Sequence, residues 1–203
     1  MSNSLSYEHL GSPAQRERHQ RILDATVALA SRGGFEEVQM RAVAEAAGVA
    51  LGTLYRYFPS KIHLLVSALS RELDRVRVGQ ERKPVPGDTP RERVGNVLAQ
   101  TTRSMQRDPL LTEALTRAFM FADASVAAEM HAVGSQVEQM LLAAMRDPAR
   151  PDGPGDEEAA IARVIRDVWL ASLVHWVTGR ASAEDVARSL DVAVRLLLRD
   201  PPP

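Results

Sequence analysis

The fold of this chain is decided by residues 38–65, which read VQMRAVAEAAGVALGTLYRYFPSKIHLL. The alanine-rich run at 40–47 places Val43 and Ala47 four residues apart, which predicts a short helix with one buried face. Gly48 follows this run, and glycine readily takes the left-handed backbone conformation that ends many helices. The stretch therefore begins with a short helix that stops at a tight turn.

A second short helix is predicted over 51–58, only a few residues after this turn. Pro59 stops it, because proline lacks the backbone donor that a helix interior needs. Ser60 can then cap a long helix that starts at Lys61. Two short helices joined by a glycine-containing turn are typical of a helix-turn-helix, a motif whose second helix enters the DNA major groove.

The second helix carries side chains that suit DNA binding. Leu54 and Phe58 lie four residues apart and can both face the core. The remaining polar and aromatic side chains are then expected to point elsewhere, and they are Thr53, Tyr55, Arg56 and Tyr57. Hydroxyl groups and a guanidinium on an exposed helix can contact phosphates and base edges. Gly52 costs about 1 kcal/mol of helix propensity relative to alanine, which makes sense if a phosphate or base must approach the backbone.

The run GVALGTLYRYFPSKIHLL resembles the DNA-binding signature of TetR-family transcriptional regulators. The matching residues are Gly48, Val49, Gly52, Thr53, Leu54, Tyr55, Tyr57, Phe58, Ser60, Lys61, Leu64 and Leu65. The resemblance implies an all-α fold with an N-terminal arm and three-helix DNA-binding domain over 1–61. It implies a helical ligand-binding and dimerisation domain over 62–203. The alternative, ordinary amphipathic helices of a bundle, does not explain why hydroxyls and cations surround a two-residue apolar anchor.

The same resemblance implies roles for individual side chains. Thr53, Tyr57 and Lys61 are expected to bind phosphates. Arg41 and Arg56 are expected to read base edges, because arginine forms two hydrogen bonds with guanine. Supporting or weaker candidates are Gln39, Leu51, Gly52 and Tyr55.

Helix signals continue through the rest of the chain. Ser12, Pro13 and Gln15 form a capping box for the first helix, which Gly33 and Gly34 end. Start and stop signals predict further helices at about 61–78, 90–107, 109–122, 124–146, 157–178 and 183–199. The run PARPDGPG at 148–155 is the clearest loop. About nine helices result, and no alternating run predicts a strand.

Composition favours an intracellular protein without a cofactor. The chain has 203 residues and no cysteine, which excludes disulfides and suits a reducing compartment. No apolar run reaches the ~20 residues of a membrane span, and the N-terminus lacks a signal pattern, so a cytoplasmic location is predicted. The net charge of −1 does not itself indicate DNA binding, so that prediction rests on where the charges lie.

Two other classes of function fit the chain less well. The 5 histidines form no pair at metal-ligand spacing within a helix, and neither G-x-S-x-G nor a phosphate-binding glycine loop is present. We therefore expect no enzyme, no metal and no cofactor. A helical interaction module that never touches DNA remains an alternative, but it does not explain the composition of residues 51–58.

The last two helices are apolar on two faces. An amphipathic surface helix needs only one apolar face, so the second face predicts burial against another subunit. The economical partner is the same helix pair of a second copy, which gives a two-fold interface. The predicted dimer-interface residues are Leu170, Val174, Val177, Val192 and Leu196.

The middle helices concentrate bulky, deformable apolar residues. At helical spacing such residues are more often plain core, although methionine also suits adaptable binding surfaces. The family resemblance favours an enclosed site, which here would be large, apolar and poor in charge. Arg103, Arg107 and Arg117 either meet an anionic group at its mouth or are simply solvated. The predicted lining residues are Met105, Leu110, Leu115, Phe119, Met120, Met140, Trp169, Leu173 and Trp176.

A narrower resemblance connects the chain to the family's repressors of cholesterol and steroid catabolism in actinobacteria. It is carried by RERHQRILDAT, VQMRAVA, PLLTEALTRAFMFADAS and RASAEDVARSLDVAVRLL, among other runs. It implies a homodimeric repressor that binds a palindromic operator and is released by a steroid coenzyme A thioester. A repressor that responds to another hydrophobic ligand, such as a fatty acyl-CoA or a drug, is the alternative.

Overall fold

The structure, a computed structural model, describes residues 12–83, 85–146 and 155–198, and these residues form nine α-helices. The helices are α1 Pro13–Glu37, α2 Met40–Ala46, α3 Leu51–Tyr57, α4 Lys61–Arg82, α5 Pro90–Arg107, α6 Pro109–Met120, α7 Ala127–Met145, α8 Asp156–Val177 and α9 Ala183–Leu197. A single 3-10 turn over Ala124–Val126 leads into α7. The all-α prediction is confirmed. The predicted loop at 148–155 lies outside the described residues, except for Gly155.

Capping contacts set the helix starts that the sequence predicted. At α1, the Ser12 hydroxyl accepts a hydrogen bond from the Gln15 backbone, and the Gln15 side chain accepts one from the Ser12 backbone at 3.1 Å. At α5, the Thr89 hydroxyl and the Glu92 carboxylate make the same exchange, each at 3.2 Å. Each exchange gives partners to backbone donors that have none inside the helix.

Helix α1 is interrupted where the sequence predicted its end. Gly33 and Gly34 leave the helical conformation, and a further helical turn then continues to Glu37. Gly34 has φ +66°, which side chains rarely tolerate, and a Cβ atom there would lie 2.8 Å from a carboxylate oxygen of Glu113. The backbone angle therefore favours glycine at this position, and a Cβ atom would also displace the Glu113 carboxylate.

The helices form two compact units. The first holds the described residues of Met1–Glu72 and Asp108–Ala132, and the second those of Leu73–Arg107 and Val133–Pro203. Within the first unit, α6 packs along α1, and α2 packs against both α1 and α3. Within the second, α9 packs against α8 and α5. The predicted boundary between a DNA-binding domain over 1–61 and a ligand-binding and dimerisation domain over 62–203 stays a prediction.

Arg93 on α5 holds the C-terminal end of α7. Its guanidinium donates hydrogen bonds to the carbonyl of Ala144 at 2.9 Å and to that of Arg146 at 3.1 Å. It also donates to the carbonyl of Asp88 at 3.1 Å. The last carbonyls of a helix have no partner within it, so this side chain supplies the missing donors.

We expect the substitution Arg93→Met to lower the free energy of unfolding by about 1–2 kcal/mol, because it removes these donors and keeps the length of the side chain. Chemical denaturation would measure the loss. The matched control is Arg103→Met, since Arg103 is an exposed arginine of α5 without a hydrogen bond to any described residue. Equal unfolding midpoints for the two variants would contradict the expectation.

Candidate nucleic-acid interface

The turn between α2 and α3 has the geometry that the sequence predicted. Gly48 has φ +63°, and its N–H donates to the carbonyl of Glu45 at 3.1 Å. The next N–H, of Val49, donates to the carbonyl of Ala44 at 2.9 Å. These bonds close α2 and direct the chain into α3, so the two helices form a helix-turn-helix.

The buried side of α3 fixes this helix in the first unit. Leu54 and Phe58 are both buried, as their four-residue spacing predicted. With these two side chains in the core, the opposite side of α3 faces outward.

The outward side of α3 carries the residues expected to meet DNA. Tyr55 is 47% exposed, and Gly52 and Arg56 are exposed as well. Leu51 and Thr53 are half-buried. A Cβ atom built on Gly52 has no neighbour within 4 Å, so the packing of this chain does not require glycine there.

Two arginines on the motif have no ion-pair partner among the described residues. Arg41 on α2 and Arg56 on α3 are exposed, and neither forms an ion pair with another described residue. Gln39, at the start of α2, is exposed beside them. Arg71 on α4 differs, because its side chain is largely buried and pairs with Asp24 at 2.7 Å. These two cations of the motif are therefore available to an anionic partner.

Tyr57 corrects one expectation from the sequence. It was expected to point away from the core, but it is 2% exposed. Its ring centroid lies 6.2 Å from that of His19 and 6.4 Å from that of Phe58. The physical reason is helical spacing, because positions three and four residues after Leu54 lie on the same face. Because the ring is buried, a phosphate contact by Tyr57 would have to be made by its hydroxyl group. That role stays a prediction.

Lys61 has a neighbour that the sequence did not reveal. Its Nζ lies 3.8 Å from the ring centroid of Phe35, a distance at which an ammonium is attracted to an aromatic face. Burial lowers the pKa of Lys61, Glu36 opposes that shift, and Arg117 adds to it. From the sequence, phosphate binding was the only explanation for a lysine in the first turn of α4. The contact with the Phe35 ring is a second reason for a lysine at this position. The phosphate role stays a prediction.

His19 is buried directly behind α3. Its ring centroid lies 5.0 Å from that of Phe58. Burial, reinforced by the positive charge of Arg71, lowers the pKa of His19 from 6.5 to about 4. Between these two pH values the unfolded chain binds a proton that the folded chain does not bind, so stability is fully present above pH 6.5 and falls as the pH drops toward 4.

We expect the free energy of unfolding to decrease by on the order of 3 kcal/mol more in the native protein than in His19→Gln between pH 7 and pH 4. The reason is that glutamine has no proton to gain in this range. Urea unfolding at a series of pH values would measure the difference. Parallel pH profiles for the two proteins would contradict the assignment of this titration to His19.

The outer sides of α8 and α9 in the second unit expose large apolar side chains. Leu196 is 63% exposed, and Val192, four residues earlier on α9, is exposed on the same face. Leu170, Val174 and Val177 on α8 are half-buried. The sequence did not single out Val164, which is also exposed on α8. Its spacing from Ile161 and Val168, three and four residues away, could have indicated it.

The residues predicted to line a ligand cavity belong to both units. Four of the nine are buried, and they are Leu115, Met140, Trp169 and Leu173. Three are half-buried, and they are Met105, Phe119 and Trp176. Leu110 and Met120 are exposed. The indole N–H of Trp169 donates to the buried hydroxyl of Thr102 at 3.1 Å, so its polar atom already has a partner in the core.

The second unit contains a groove between α5 and α9. It has a volume of about 850 Å³ and a floor that includes Leu98, Leu190 and Val194. None of the nine predicted lining residues borders this groove. Their role in ligand binding therefore stays a prediction.

The described residues contain neither a candidate metal site nor a membrane-spanning helix. No group of three or more histidine, aspartate or glutamate side chains within the described ranges could hold a metal ion. None of the helices that the structure describes combines the length and the apolar character of a membrane-spanning segment.

Two family models match the chain. The model of bacterial regulatory proteins of the tetR family matches residues 22–68, which include α2 and α3. The model of the tetracyclin repressor-like C-terminal domain matches residues 87–197.

Curated proteins match over nearly the full length. The chain is 58% identical over 197 residues to the HTH-type transcriptional repressor KstR of Rhodococcus jostii, and this match covers 97% of the chain and 90% of that repressor. It is 57% identical over 194 residues to the HTH-type transcriptional repressor KstR of Mycolicibacterium smegmatis, with 96% and 93% covered.

Solved structures share the fold. A TetR transcriptional regulator from Rhodococcus sp. RHA1 superposes with a TM-score of 0.83 at 34% identity, covering 92% of this chain and 98% of the other. The FadR repressor of Thermus thermophilus, solved in complex with lauroyl-CoA, superposes with a TM-score of 0.69 at 25% identity, covering 91% and 98%.

Proposed function

Because this chain belongs to the TetR family and is a transcriptional repressor of that type, we propose that it represses genes of cholesterol and steroid catabolism and leaves its operator when it binds a steroid coenzyme A thioester. The relatives are transcriptional regulators, a role that involves no catalysis. An operator-binding repressor acts where the chromosome is, so we place it in the cytoplasm.

The outward side of α3 supports the DNA-binding step. Arg56 has no ion-pair partner among the described residues, and Gly52 leaves open space above the helix. This combination carries the proposal, because an unpaired guanidinium can read a base edge while a bare backbone lets the DNA approach. Arg41 and Gln39 lie at the start of α2, where they can add contacts. Thr53 and Lys61 would bind phosphates.

A homodimer is the form proposed to bind the operator. Two copies of α3 must be spaced by ~34–36 Å, or a multiple, to enter major grooves on one face of a palindrome. The outward apolar faces of α8 and α9 offer a surface that a two-fold partner can cover. Leu196 and Val192 would be central to it, with Leu170, Val174 and Val177 beside them.

The proposed ligand class rests on two observations. The chain resembles repressors of steroid catabolism in several long runs of both domains, including PLLTEALTRAFMFADAS and RASAEDVARSLDVAVRLL. A structural relative, the FadR of Thermus thermophilus, was solved with lauroyl-CoA, which is itself a coenzyme A thioester. The second observation equally favours a fatty acyl-CoA as the ligand, so this is the second candidate.

Release of DNA by the ligand requires a difference in affinity. The thioester must bind the DNA-incompetent state of the repressor more tightly than the DNA-bound state. A coupling free energy of ~1–3 kcal/mol would weaken operator binding by ~5–150-fold. By the same linkage, operator DNA would weaken binding of the thioester by an equal factor.

The test is fluorescence-polarisation binding to labelled fragments of the protein's own promoter region at one fixed salt concentration. We expect tight, sequence-dependent binding that a steroid coenzyme A thioester weakens. Free coenzyme A, the free steroid acid and a long-chain fatty acyl-CoA serve as matched ligands. They separate the thioester from its two halves and from the second candidate.

Each result of this binding assay leads to a different conclusion about the ligand. Release by the steroid thioester alone supports the proposal, whereas release by the fatty acyl-CoA alone transfers the ligand assignment to the second candidate. Binding that no thioester changes overturns the ligand assignment and leaves the repressor intact.

A further inference from the structure

The ring of Phe35 contacts two cations of the first unit. The ammonium of Lys61 is 3.8 Å from the ring centroid, and the guanidinium carbon of Arg117 is 4.6 Å from it. Phe35 is fixed there because it directly follows the left-handed Gly34, and because its N–H donates to the carboxylate of Glu113 at 3.0 Å. The ring is therefore a shared contact of Lys61 at the start of α4 and Arg117 on α6.

Arg117 forms ion pairs with two carboxylates near this ring, those of Glu113 and Glu36. One of its terminal nitrogens lies 2.9 Å from Glu113, and the other lies 3.2 Å from Glu36. Arginine can bind two carboxylates at once because its donors point in different directions from a planar group. Lys61 forms no ion pair with either of them, or with any other described residue.

The charges of Glu36, Arg117 and Glu113 influence Lys61, although none of these residues forms an ion pair with it. Beyond the effect of burial, Glu36 and Glu113 raise the pKa of Lys61 and Arg117 lowers it. Both carboxylates are therefore close enough to attract the ammonium. Arg117 is the group that already binds them.

We propose that Arg117 is a positioning residue for DNA binding, which occupies Glu36 and Glu113 and thereby leaves the Lys61 ammonium on the Phe35 ring free to bind a phosphate. This inference rests on the proposed function, because it assumes that Lys61 contacts operator DNA. Arg117 itself lies on α6 and is not assigned a DNA contact.

The physical reason is competition between carboxylate and phosphate. A lysine that is paired to a carboxylate must break that pair before it can neutralise a phosphate, so part of the gain from releasing counterions is lost. The face of an aromatic ring holds an ammonium without neutralising it, because the attraction comes from the ring quadrupole and not from a net charge. Loss of Arg117 would leave two unpaired carboxylates near Lys61, and the ammonium would move from the ring to one of them.

The first part of the test measures operator binding at several salt concentrations. We expect Arg117→Met to weaken binding about tenfold and to reduce the slope of log K against log salt by about 0.9 per protomer, as the loss of one phosphate contact does. Lys61→Met should give the same two changes. When Lys61→Met is combined with Arg117→Met, we expect little further loss of operator affinity, because Arg117→Met has already removed the phosphate contact of Lys61.

The second part of the test is rescue. The triple variant Arg117→Met, Glu36→Gln, Glu113→Gln has no carboxylate left to capture Lys61, so we expect its affinity and salt slope to return close to the native values. A purely structural role of Arg117 gives the opposite result, since removing its partners cannot restore a lost contact. Arg103→Met in the second unit is the matched control and should leave operator binding unchanged.

The results separate this inference from the proposed function. No effect of Lys61→Met on the native background would overturn the phosphate role of Lys61 and the inference with it. Two results would overturn the inference alone. One is that Lys61→Met weakens operator binding as much in the Arg117→Met variant as in the native protein. The other is that the triple variant fails to recover native affinity. If Arg117→Met does not fold, Arg117→Lys replaces it, and we expect an intermediate loss because one ammonium engages one carboxylate better than two.

Discussion

Gly52→Ala is expected to produce a protein that is more stable than the native one and that binds operator DNA about 10–100-fold more weakly. Alanine favours a helix over glycine by about 1 kcal/mol, and the new Cβ atom meets nothing within 4 Å. Gly52 also has no left-handed backbone angle that would oppose a side chain. Folding alone therefore favours alanine at this position.

The expected loss of DNA binding comes from the same methyl group. On the exposed side of α3, it would occupy the space through which a base or phosphate approaches the backbone. Forcing an extra carbon into a close-packed contact typically costs about 1–3 kcal/mol, which corresponds to the expected loss of affinity. Opposite changes in stability and binding distinguish this effect from simple misfolding.

The measurement pairs thermal unfolding with operator titration. Gly79→Ala is the matched control, because Gly79 is an exposed glycine of α4 whose Cβ atom would also meet nothing. This variant should gain similar stability and bind the operator normally. Native operator affinity in Gly52→Ala would show that DNA does not approach the backbone at Gly52.

The helices could be predicted from the sequence because their ends are decided locally. Ser12 with Gln15, and Thr89 with Glu92, each form a cap within four residues, and Gly48 and Pro59 end their helices by their own backbone preferences. These signals do not depend on the tertiary fold. The predicted ends accordingly differ from the observed ones by only a few residues at most helices, as at α3, where Tyr57 replaces Phe58 as the last residue.

The environment of individual side chains on the interface was harder to predict. Tyr57 was expected to be exposed, although helical spacing places it on the same face as Leu54, where His19 packs against its ring. The Glu113–Arg117 spacing on α6 is visible in the sequence as a pair one turn apart. That the same arginine stacks on Phe35, which lies 82 positions earlier in the chain, depends on how α6 packs along α1.

The residues predicted to bind a ligand show a further limit of sequence patterns. A run of apolar residues at helical spacing predicts burial, but a cavity wall and a filled core bury the same side chains. Trp169 illustrates the point, because its N–H is satisfied by Thr102 inside the protein. Composition alone therefore cannot separate residues that touch a ligand from those that pack beside them.

Leu196→Glu is expected to convert the repressor to a monomer and to weaken operator binding by at least about 100-fold. At 63% exposure in a single chain, this side chain contributes little to folding of its own subunit. Burying an unpaired carboxylate against the same helix of a second copy would cost several kcal/mol, which is enough to separate the subunits. A dimer binds its second half-site at high effective concentration, and a monomer loses that gain.

Ala187→Glu is the matched control, because it adds the same charge to α9 nine positions earlier, about half a turn away around the helix axis. Ala187 is exposed on the side of α9 that faces the groove with α5, so its variant should stay dimeric and bind the operator normally. Light scattering and operator titration on both variants would measure the two effects. A Leu196→Glu protein that remains dimeric would place the subunit interface elsewhere, whereas a monomer with native operator affinity would mean that one subunit suffices for recognition.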